Sequence, residues 1–330
     1  MKRMMILICL VLLFTTAKAD EVIVTFGGDC VLGTREEWKD NQKTFDTFIS
    51  RRGFDWCFKR IGQVFLEDDI TLINLECVLQ KDDEGHRKNK LFTFRGDPSY
   101  AVFLKQASVE QVNIANNHYI DYGRSGREST RAALAEAQIG FSGYTYRSIA
   151  NVRGYKIGFA GCRETVFLEN REAVYRDLQY LKEQDCDVII YSCHWGKEYS
   201  PEHNSSQIRM ADYALKYGAD IVVGTHPHCV QGIEYRRGGV VLYSLGNLIF
   251  GGTHDMTTFD AAIMQAVLQF EEGKYQGVTL KILPVLTSSS IPENNFQPIF
   301  APDADYKRIM QLIQNDSDMK IDEEMWFPAK

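Results

Sequence analysis

The stretch Ile221-Val222-Val223-Gly224-Thr225-His226-Pro227-His228 decides the fold of this 330-residue chain. It starts as a short run rich in Val and Ile that ends at a glycine, which is typical of a buried strand. Two histidines then follow at positions i and i+2, and the proline between them fixes the backbone. In an extended segment both imidazoles face one side, and neutral imidazole is the commonest metal ligand. The stretch therefore predicts a strand that ends at a metal site.

Four other short blocks also place polar side chains directly after an apolar run: Phe26-Gly27-Gly28-Asp29, Ile73-Asn74-Leu75-Glu76, Ala115-Asn116-Asn117-His118 and Cys193-His194-Trp195-Gly196. Strand ends in an α/β sheet converge on one crevice, so we expect these side chains to lie together. Asp, Glu, Asn and His ligands suit Mn²⁺, Fe²⁺ or Zn²⁺ better than Ca²⁺ or a thiolate site. The blocks therefore predict a divalent-metal centre.

Taken one at a time, some of these blocks can also be explained without a metal. A lone histidine at a strand end, such as His194, is more often a hydrogen-bonded core residue than a ligand. The polar run Asn116-Asn117-His118 is also compatible with the start of a helix. The pair His226 and His228 shifts the interpretation toward a metal, because two imidazoles on one side of a segment are hard to explain as core residues.

Short apolar runs alternate with amphipathic segments along most of the chain. Two amphipathic segments, Ser129 to Gln138 and Ser205 to Tyr217, end at or near a glycine, as helices do. The alternation predicts an α/β fold with a layered sheet. The runs expected to form strands are Val22-Phe26, Ile70-Leu75, Val112-Ala115, Lys156-Ala160, Val188-Ser192, Ile221-Gly224 and Val240-Leu245.

The C-terminal part of the chain has a different pattern. Two strand-like runs, 261–270 and 278–285, lie close together and predict an antiparallel hairpin that closes a sheet edge. A last helix is expected over residues 304–314. We expect one domain over residues 20–286, with residues 287–330 forming a linker and a C-terminal helix that packs on it.

The N-terminus has the pattern of an export signal. Lys2 and Arg3 precede an apolar run, and Ala17-Lys18-Ala19 forms a small-x-small cleavage site. Residues 1–19 are thus expected to be a Sec signal peptide cleaved after Ala19, which predicts a secreted, periplasmic or cell-envelope protein. An uncleaved N-terminal membrane anchor is the alternative. The net charge of −7 argues against a nucleic-acid partner.

The chain has eight cysteines, of which Cys9 lies in the predicted signal peptide. The remaining seven are an odd number, so at least one thiol is unpaired. Most lie in or beside apolar runs, where cysteine is usually a small buried hydrophobe. The sequence fixes no disulfide pairing.

In this order, the five blocks resemble the CapA-like family of capsule (poly-γ-glutamate) synthesis proteins, a branch of the calcineurin-like metallophosphatase superfamily. The resemblance covers about Val22 to Phe250. It implies a four-layer α/β/β/α sandwich of the metallo-dependent phosphatase type, with the metal site at the strand ends. The matching motifs are Val24-Thr25-Phe26-Gly27-Gly28-Asp29-Cys30-Val31-Leu32-Gly33, Asn74-Leu75-Glu76, Ala115-Asn116-Asn117-His118, Asp121-Tyr122-Gly123, His194-Trp195-Gly196-Lys197-Glu198-Tyr199, Gly224-Thr225-His226-Pro227-His228 and Ser244-Leu245-Gly246-Asn247.

By position, the resemblance implies one or two divalent ions, Mn, Fe or Zn, and a catalytic histidine, His118, that faces the leaving group. Val31 stands where the wider superfamily has a histidine, so one metal site loses a ligand. The implied metal ligands are Asp29, Glu76, Asn117, His194, His226 and His228. The expected substrate contacts are Asn74, Asn116, Glu198 and Arg95.

The resemblance leaves two functions open. The first is an exported, divalent-metal-dependent hydrolase that cleaves a phosphoester or a γ-glutamyl link with a metal-activated water. The second is a non-enzymatic metal-containing component that binds polymer or assists its export. Either would have an anionic polymer or a phosphoester as ligand and membrane-bound capsule synthesis or export proteins as partners.

Overall fold

The structure, a computed structural model, describes residues 20–38, 41, 43–253 and 255–330. The predicted signal peptide, residues 1–19, lies outside the described residues. The strands are β1 (Asp20–Val31), β2 (Thr34–Arg35), β3 (Ile70–Leu75), β4 (Val78–Leu79), β5 (Phe94–Gly96), β6 (Gln111–Asn113), β7 (Gly140–Ser142), β8 (Ser148–Val152), β9 (Tyr155–Arg163), β10 (Val188–His194), β11 (Ile221–Thr225), β12 (Ile233–Arg236), β13 (Gly239–Leu242), β14 (Asn247–Phe250), β15 (Asp260–Glu271), β16 (Lys274–Leu286), β17 (Ile299–Phe300) and β18 (Glu324–Pro328). The helices are α1 (Phe45–Arg52), α2 (Gln63–Leu66), α3 (Tyr100–Gln106), α4 (Gly123–Glu136), α5 (Glu164–Asn170), α6 (Glu172–Glu183), α7 (Ser205–Tyr217) and α8 (Asp303–Asn315).

The first sheet has the order β17-β16-β15-β1-β3-β6-β7. Its central strand, β1, runs antiparallel to β15 and parallel to β3. The register shifts between Phe26 and Asp29, and beyond this bulge β1 pairs with β14 instead of β15. A Cβ at Gly28 would lie 2.0 Å from the carbonyl oxygen of Gly246, so only glycine allows this close approach. The bulge thus redirects the end of β1, where Asp29 lies.

The second sheet has the order β12-β13-β11-β10-β9-β8, and β9, β10, β11 and β13 are parallel. Every residue of β10 and β11 is buried, because each strand is covered on both faces. A small third sheet, β2-β5-β4, lies beside the two large ones.

Three apolar cores separate four layers. Residues of β1, β3, β10, β11 and β15 share the core between the two large sheets. Residues of α1, α3 and α4 pack on the outer face of the first sheet, and those of α6 and α7 pack on the outer face of the second. The predicted α/β/β/α layering is therefore confirmed, and each of the seven predicted strand runs overlaps an observed strand.

All three predicted helices are present, and the last one, predicted over residues 304–314, is α8 (Asp303–Asn315). The other two differ in how closely the observed limits match the predicted ones. Helix α7 has the predicted limits, since Asn204 and Gln207 form a capping box at its start and Gly218 ends it with φ +123°. Helix α4 begins at Gly123, six residues before the predicted start. Its early turns are polar, and a Cβ at Gly126 would lie 2.8 Å from Val78, so close packing of this glycine against β4 accompanies the longer helix.

The predicted antiparallel hairpin is confirmed as β15 and β16, joined at Glu272-Gly273. It does not close the sheet edge, because β17 and β18 pair with the far side of β16. Ile309 and Ile313 of α8 are buried in the core between the large sheets. The division of the chain at residue 286 stays a prediction.

An ion-pair cluster ties the loop before α7 to the end of α8. The imidazole of His203 places Nδ1 2.9 Å from Asp316 and Nε2 3.6 Å from Glu234, and its ring stacks on Tyr243 with centroids 3.8 Å apart. Burial lowers the pKa of His203, but the two carboxylates outweigh burial and raise it above its usual value. The charged form of this histidine therefore stabilises the fold.

All seven cysteines of the described residues carry free thiols, and five of them are buried. Burial raises the pKa of Cys162 to about 12 and raises that of Cys193 well above its usual value. The buried thiols thus behave as small hydrophobes, as their positions in the sequence indicated.

Candidate metal centre

The carboxyl ends of β1, β3, β10 and β11 meet at one place and bring acidic and imidazole side chains together. Three overlapping groups have ligand atoms within 4.8 Å of one another. These groups are Glu76, His194 and His226; Glu198, His226 and His228; and Asp29, Glu76 and His228. Five of the six predicted metal ligands are therefore close neighbours, and Glu198, predicted as a substrate contact, joins them.

Asp29 is completely buried and held by three donors. Its Oδ1 accepts from the side-chain amide of Asn74 at 2.7 Å, and its Oδ2 accepts from the backbone of His226 at 3.1 Å. Nδ1 of His228 lies 3.2 Å from Oδ2. Burial would raise the pKa of Asp29, but the contacts with His228 and Asn74 outweigh burial and lower it. Asp29 is therefore a carboxylate at neutral pH.

Glu76 is completely buried, and neither of its carboxylate oxygens has a hydrogen-bond partner among the described residues. Burial and the nearby charge of Asp29 raise its pKa well above the usual value. Nδ1 of His226 is also buried without a partner in the described part of the chain. Native proteins rarely leave buried polar atoms unpaired, and a cation between these groups would satisfy both. The residues present therefore fit a divalent ion.

His194 is oriented by hydrogen bonds on both ring nitrogens. Its Nδ1 lies 3.1 Å from the hydroxyl of Thr225. Its Nε2 lies 2.7 Å from Oδ1 of Asn117 and 3.4 Å from Glu76. Burial and the neighbouring histidines lower the pKa of His194 well below its usual value, so the ring is neutral and able to bind a metal. Asn117 therefore lies next to His194, and its role as a ligand stays a prediction.

The His226-Pro227-His228 segment reaches the centre through a bend and not through the extended backbone that the sequence predicted. His226 has φ +99° and His228 has φ +56°. Non-glycine residues adopt such values at a cost, and they persist where the surroundings fix them. The two rings still lie near each other, with centroids 5.9 Å apart. Nδ1 of His228 also approaches Oδ1 of Asn247 at 2.9 Å.

His118 lies outside the three metal-type groups and belongs to a separate buried triad. Its Nδ1 lies 2.7 Å from Asp121 and 3.1 Å from Nζ of Lys90. Lys90 also contacts Asp121 and the carbonyl of Asn117, at 2.5 and 2.8 Å. Burial lowers the pKa of His118 to about 4. The ring is thus neutral at neutral pH, next to the ligand-type Asn117.

Three of the four predicted substrate contacts have structural roles instead. Asn74 bridges Asp29 to the side chains of Asn113 and Asn116. Asn116 binds the carbonyl of Leu75 and accepts from two backbone amides. The side chains of Asn74 and Asn116 are both buried, and their hydrogen bonds connect the ends of neighbouring strands.

Arg95 is the third predicted contact with a structural role. Its guanidinium binds the carboxylate of Glu36 and the carbonyls of Gln80 and Lys81. These bonds occupy its donors, and the side chain is only 8% exposed. Arg95 therefore ties the small third sheet to the loop above it and has no free donor for a substrate.

Several neighbours of the centre escaped the sequence-based prediction. Asp121 and Lys90 hold His118, while Thr225 and Asn247 hold His194 and His228. The i+3 spacing of Asp121 from His118 was a usable signal. The charged stretch from Lys81 to Lys90 predicts a loop over the site, but it does not indicate that Lys90 contacts His118.

A cleft of about 550 Å³ opens beside Lys90. Arg35 lies in its wall between two aromatic rings, 4.5 Å from the centroid of Trp38 and 4.0 Å from that of Phe92. Lys88 also lines it. Glu37 lines the cleft as well, so its wall combines aromatic rings with charges of both signs, of which the basic ones are more numerous.

Comparison with known proteins identifies the family of the chain. The family model for the bacterial capsule synthesis protein PGA_cap matches residues 23–252, which include the six predicted ligands. The chain belongs to this family. None of the described helices of this PGA_cap protein is both long and apolar enough to cross a membrane.

Relatives share about a quarter of their residues with it. Capsule biosynthesis protein CapA of Bacillus anthracis is 27% identical over 74% of this chain and 64% of its own length. PGA biosynthesis protein CapA of Bacillus subtilis (strain 168) is 28% identical over 76% of this chain and 68% of its own length. The chain thus matches about two thirds of these relatives' length. A solved 5'-nucleotidase from Candida albicans SC5314 has a TM-score of 0.43 at 11% identity, over 89% of this chain and 57% of that one.

Proposed function

We propose that this PGA_cap protein is a divalent-metal-dependent hydrolase that acts on a phosphoester or a γ-glutamyl link during synthesis or processing of a capsule-type polymer. The family match and the names of the Bacillus relatives support the link to capsule polymers. An extracytoplasmic location, through cleavage after Ala19, and membrane-bound synthesis or export proteins as partners belong to the same proposal.

The observation that carries the proposal is the unpartnered carboxylate of Glu76. It lies between Asp29 on one side and His194 and His226 on the other. A buried carboxylate without donors is unfavourable unless a cation binds it. Glu76, Asp29 and the three histidines would hold one or two ions of the Mn, Fe or Zn type, with Asn117 beside His194. In such a site a divalent ion polarises the scissile group and activates a water molecule.

The triad around His118 would handle a proton. The shorter of the two contacts at Nδ1, 2.7 Å to Asp121, favours a hydrogen on Nδ1 and leaves Nε2 as an acceptor. Because the pKa of His118 is about 4, the ring is not an acid before substrate binds. We therefore expect His118 to take a proton at Nε2 from the attacking water and then to give this proton to the leaving-group oxygen or nitrogen as its bond to phosphorus or carbon breaks.

A non-enzymatic, polymer-binding role is the second candidate, and Val31 favours it. This side chain is completely buried in the apolar core beside the centre, where the superfamily places a histidine. A site that lacks this ligand would bind a second ion more weakly. One of the related proteins carries the name of a probable polyglutamine synthesis accessory protein.

The test is a substrate screen with the purified protein and added Mn²⁺ or Zn²⁺, using phosphomonoesters, phosphodiesters and γ-glutamyl peptides. We expect turnover of one class, and we expect His118→Ala to reduce it by about 10²-fold or more. His86→Ala is the control, because His86 lies in a loop and contacts Thr93 and Tyr122 instead of the centre. Metal-replete protein that turns over no member of either class would favour the binding role.

A further inference from the structure

Arg163 ends strand β9 at the edge of the candidate centre. It is the register partner of His194 on the neighbouring strand β10. Side chains of paired residues on adjacent strands lie on the same face of a sheet, so Arg163 and His194 face the same space. The side chain is partly buried. The centre therefore has an arginine directly beside one of its imidazoles.

The positive charge of Arg163 is not neutralised by a carboxylate among the described residues, whereas Lys90 pairs with Asp121 and Arg95 pairs with Glu36. Because Arg163 is paired in register with His194, its charge lies at the edge of the centre. The centre therefore faces an uncompensated cation, which attracts anions.

Tyr144 lies beside the guanidinium. The hydroxyl of Tyr144 donates to the carbonyl of Asn116 at 2.9 Å, and the charge of Arg163 opposes the rise in the pKa of Tyr144 that burial causes, so the two side chains are neighbours. The Tyr144 ring stacks on Tyr119 with centroids 5.5 Å apart. Tyr144 is uncharged and offers a single oxygen, so most donors of the Arg163 guanidinium remain for a ligand.

We propose that Arg163, beside Tyr144, binds an oxyanion group of the substrate next to the metal centre. The guanidinium fork matches the two oxygens of a carboxylate or a phosphate, and such charge-assisted pairs are the strong hydrogen bonds of proteins. The inference deepens the proposed function, because it gives the substrate an anionic group at a fixed place. A phosphoester would offer non-bridging phosphate oxygens, and a γ-glutamyl chain would offer its α-carboxylate.

The test is calorimetric binding of inorganic phosphate and of glutarate to wild type, Arg163→Met and Arg163→Lys, each with its metal content measured. We expect Arg163→Met to weaken binding of one of the two anions at least about tenfold with unchanged metal content, and Arg163→Lys to restore part of the affinity. The anion that depends on Arg163 identifies the source of the oxyanion. Tyr144→Phe should weaken anion binding less than Arg163→Met does, because it removes only the neighbouring hydroxyl and keeps the guanidinium.

The matched control is Arg124→Met, since Arg124 is 84% exposed on α4 and pairs with Glu128. Equal affinities in wild type and Arg163→Met at equal metal content, or no binding of either anion by wild type, would overturn the inference. Binding is measured without turnover, so anion affinity that depends on Arg163 in a protein without hydrolase activity would refute the proposed reaction and leave the anion site standing.

Discussion

Replacing Glu76 by glutamine removes one charge and keeps the side-chain volume, so it isolates what the buried carboxylate does. In the metal-free protein this carboxylate has no hydrogen-bond donor among the described residues, and burial together with Asp29 raises its pKa. A buried polar group without a partner costs about 1–3 kcal/mol, and more when it is charged, and glutamine keeps the polar group but removes the charge next to Asp29. We therefore expect metal-free Glu76→Gln to be as stable as wild type or more stable, by up to about 3 kcal/mol.

Metal should reverse this order. An ion at a hundred times its dissociation constant adds about 2.7 kcal/mol to the stability of a protein that binds it only when folded. For a chain of this size that is about 5 °C in melting temperature. We expect wild type to show this shift with Mn²⁺ or Zn²⁺ and Glu76→Gln to lose most of it.

The assay is a thermal melt of each protein with chelator and with added metal. Glu110→Gln serves as control, because Glu110 accepts from the backbone of Thr71 at the opposite end of the sheet. This control should melt lower than wild type and keep the full metal shift. An equal metal shift in Glu76→Gln, or a metal-free variant destabilised by several kcal/mol, would refute the reasoning.

Three further variants test the surroundings of the centre. Thr225→Val should lower metal affinity about 10–100-fold, measured by competition with a chelating dye, because it removes the partner that orients His194. Gly28→Ala should reduce both the melting temperature and the metal content, since its Cβ would overlap the carbonyl of Gly246. His203→Gln should lower the free energy of unfolding at acidic pH and change it little at alkaline pH. The pKa of His203 is higher in the folded than in the unfolded protein, so its stabilising contribution is complete below the unfolded-state pKa and is lost as the pH rises through the folded-state pKa. Denaturant titrations at acidic and alkaline pH measure the difference.

The sequence was sufficient for features that depend on local patterns. Continuous Val- and Ile-rich runs mark strands buried on both faces, and β10 and β11 follow this rule. The limits of α7 could be predicted because its cap residue and terminal glycine both lie in the sequence. Polar side chains after such runs predicted the cluster of carboxylates and imidazoles, because strand ends must meet at one edge.

Other features depend on contacts between distant parts of the chain. The early start of α4 reflects the packing of Gly126 against β4, which no local pattern shows. Arg95 was predicted as a substrate contact because it is a basic residue near the predicted site, but it pairs with Glu36, which is far away in the sequence. Asn74 and Asn116 similarly use their amides on each other. A polar residue at a strand end thus reveals that it needs a partner without revealing whether the partner is a ligand or the protein itself.

Metal content of the purified protein tests the central claim most directly. Elemental mass spectrometry after incubation with Mn²⁺, Fe²⁺ or Zn²⁺ and desalting should find one or two ions per chain, lost in Glu76→Gln and kept in Glu110→Gln. A wild-type protein that retains no ion under these conditions would contradict the account, because the buried carboxylate and imidazoles of the centre would then exist without a cation.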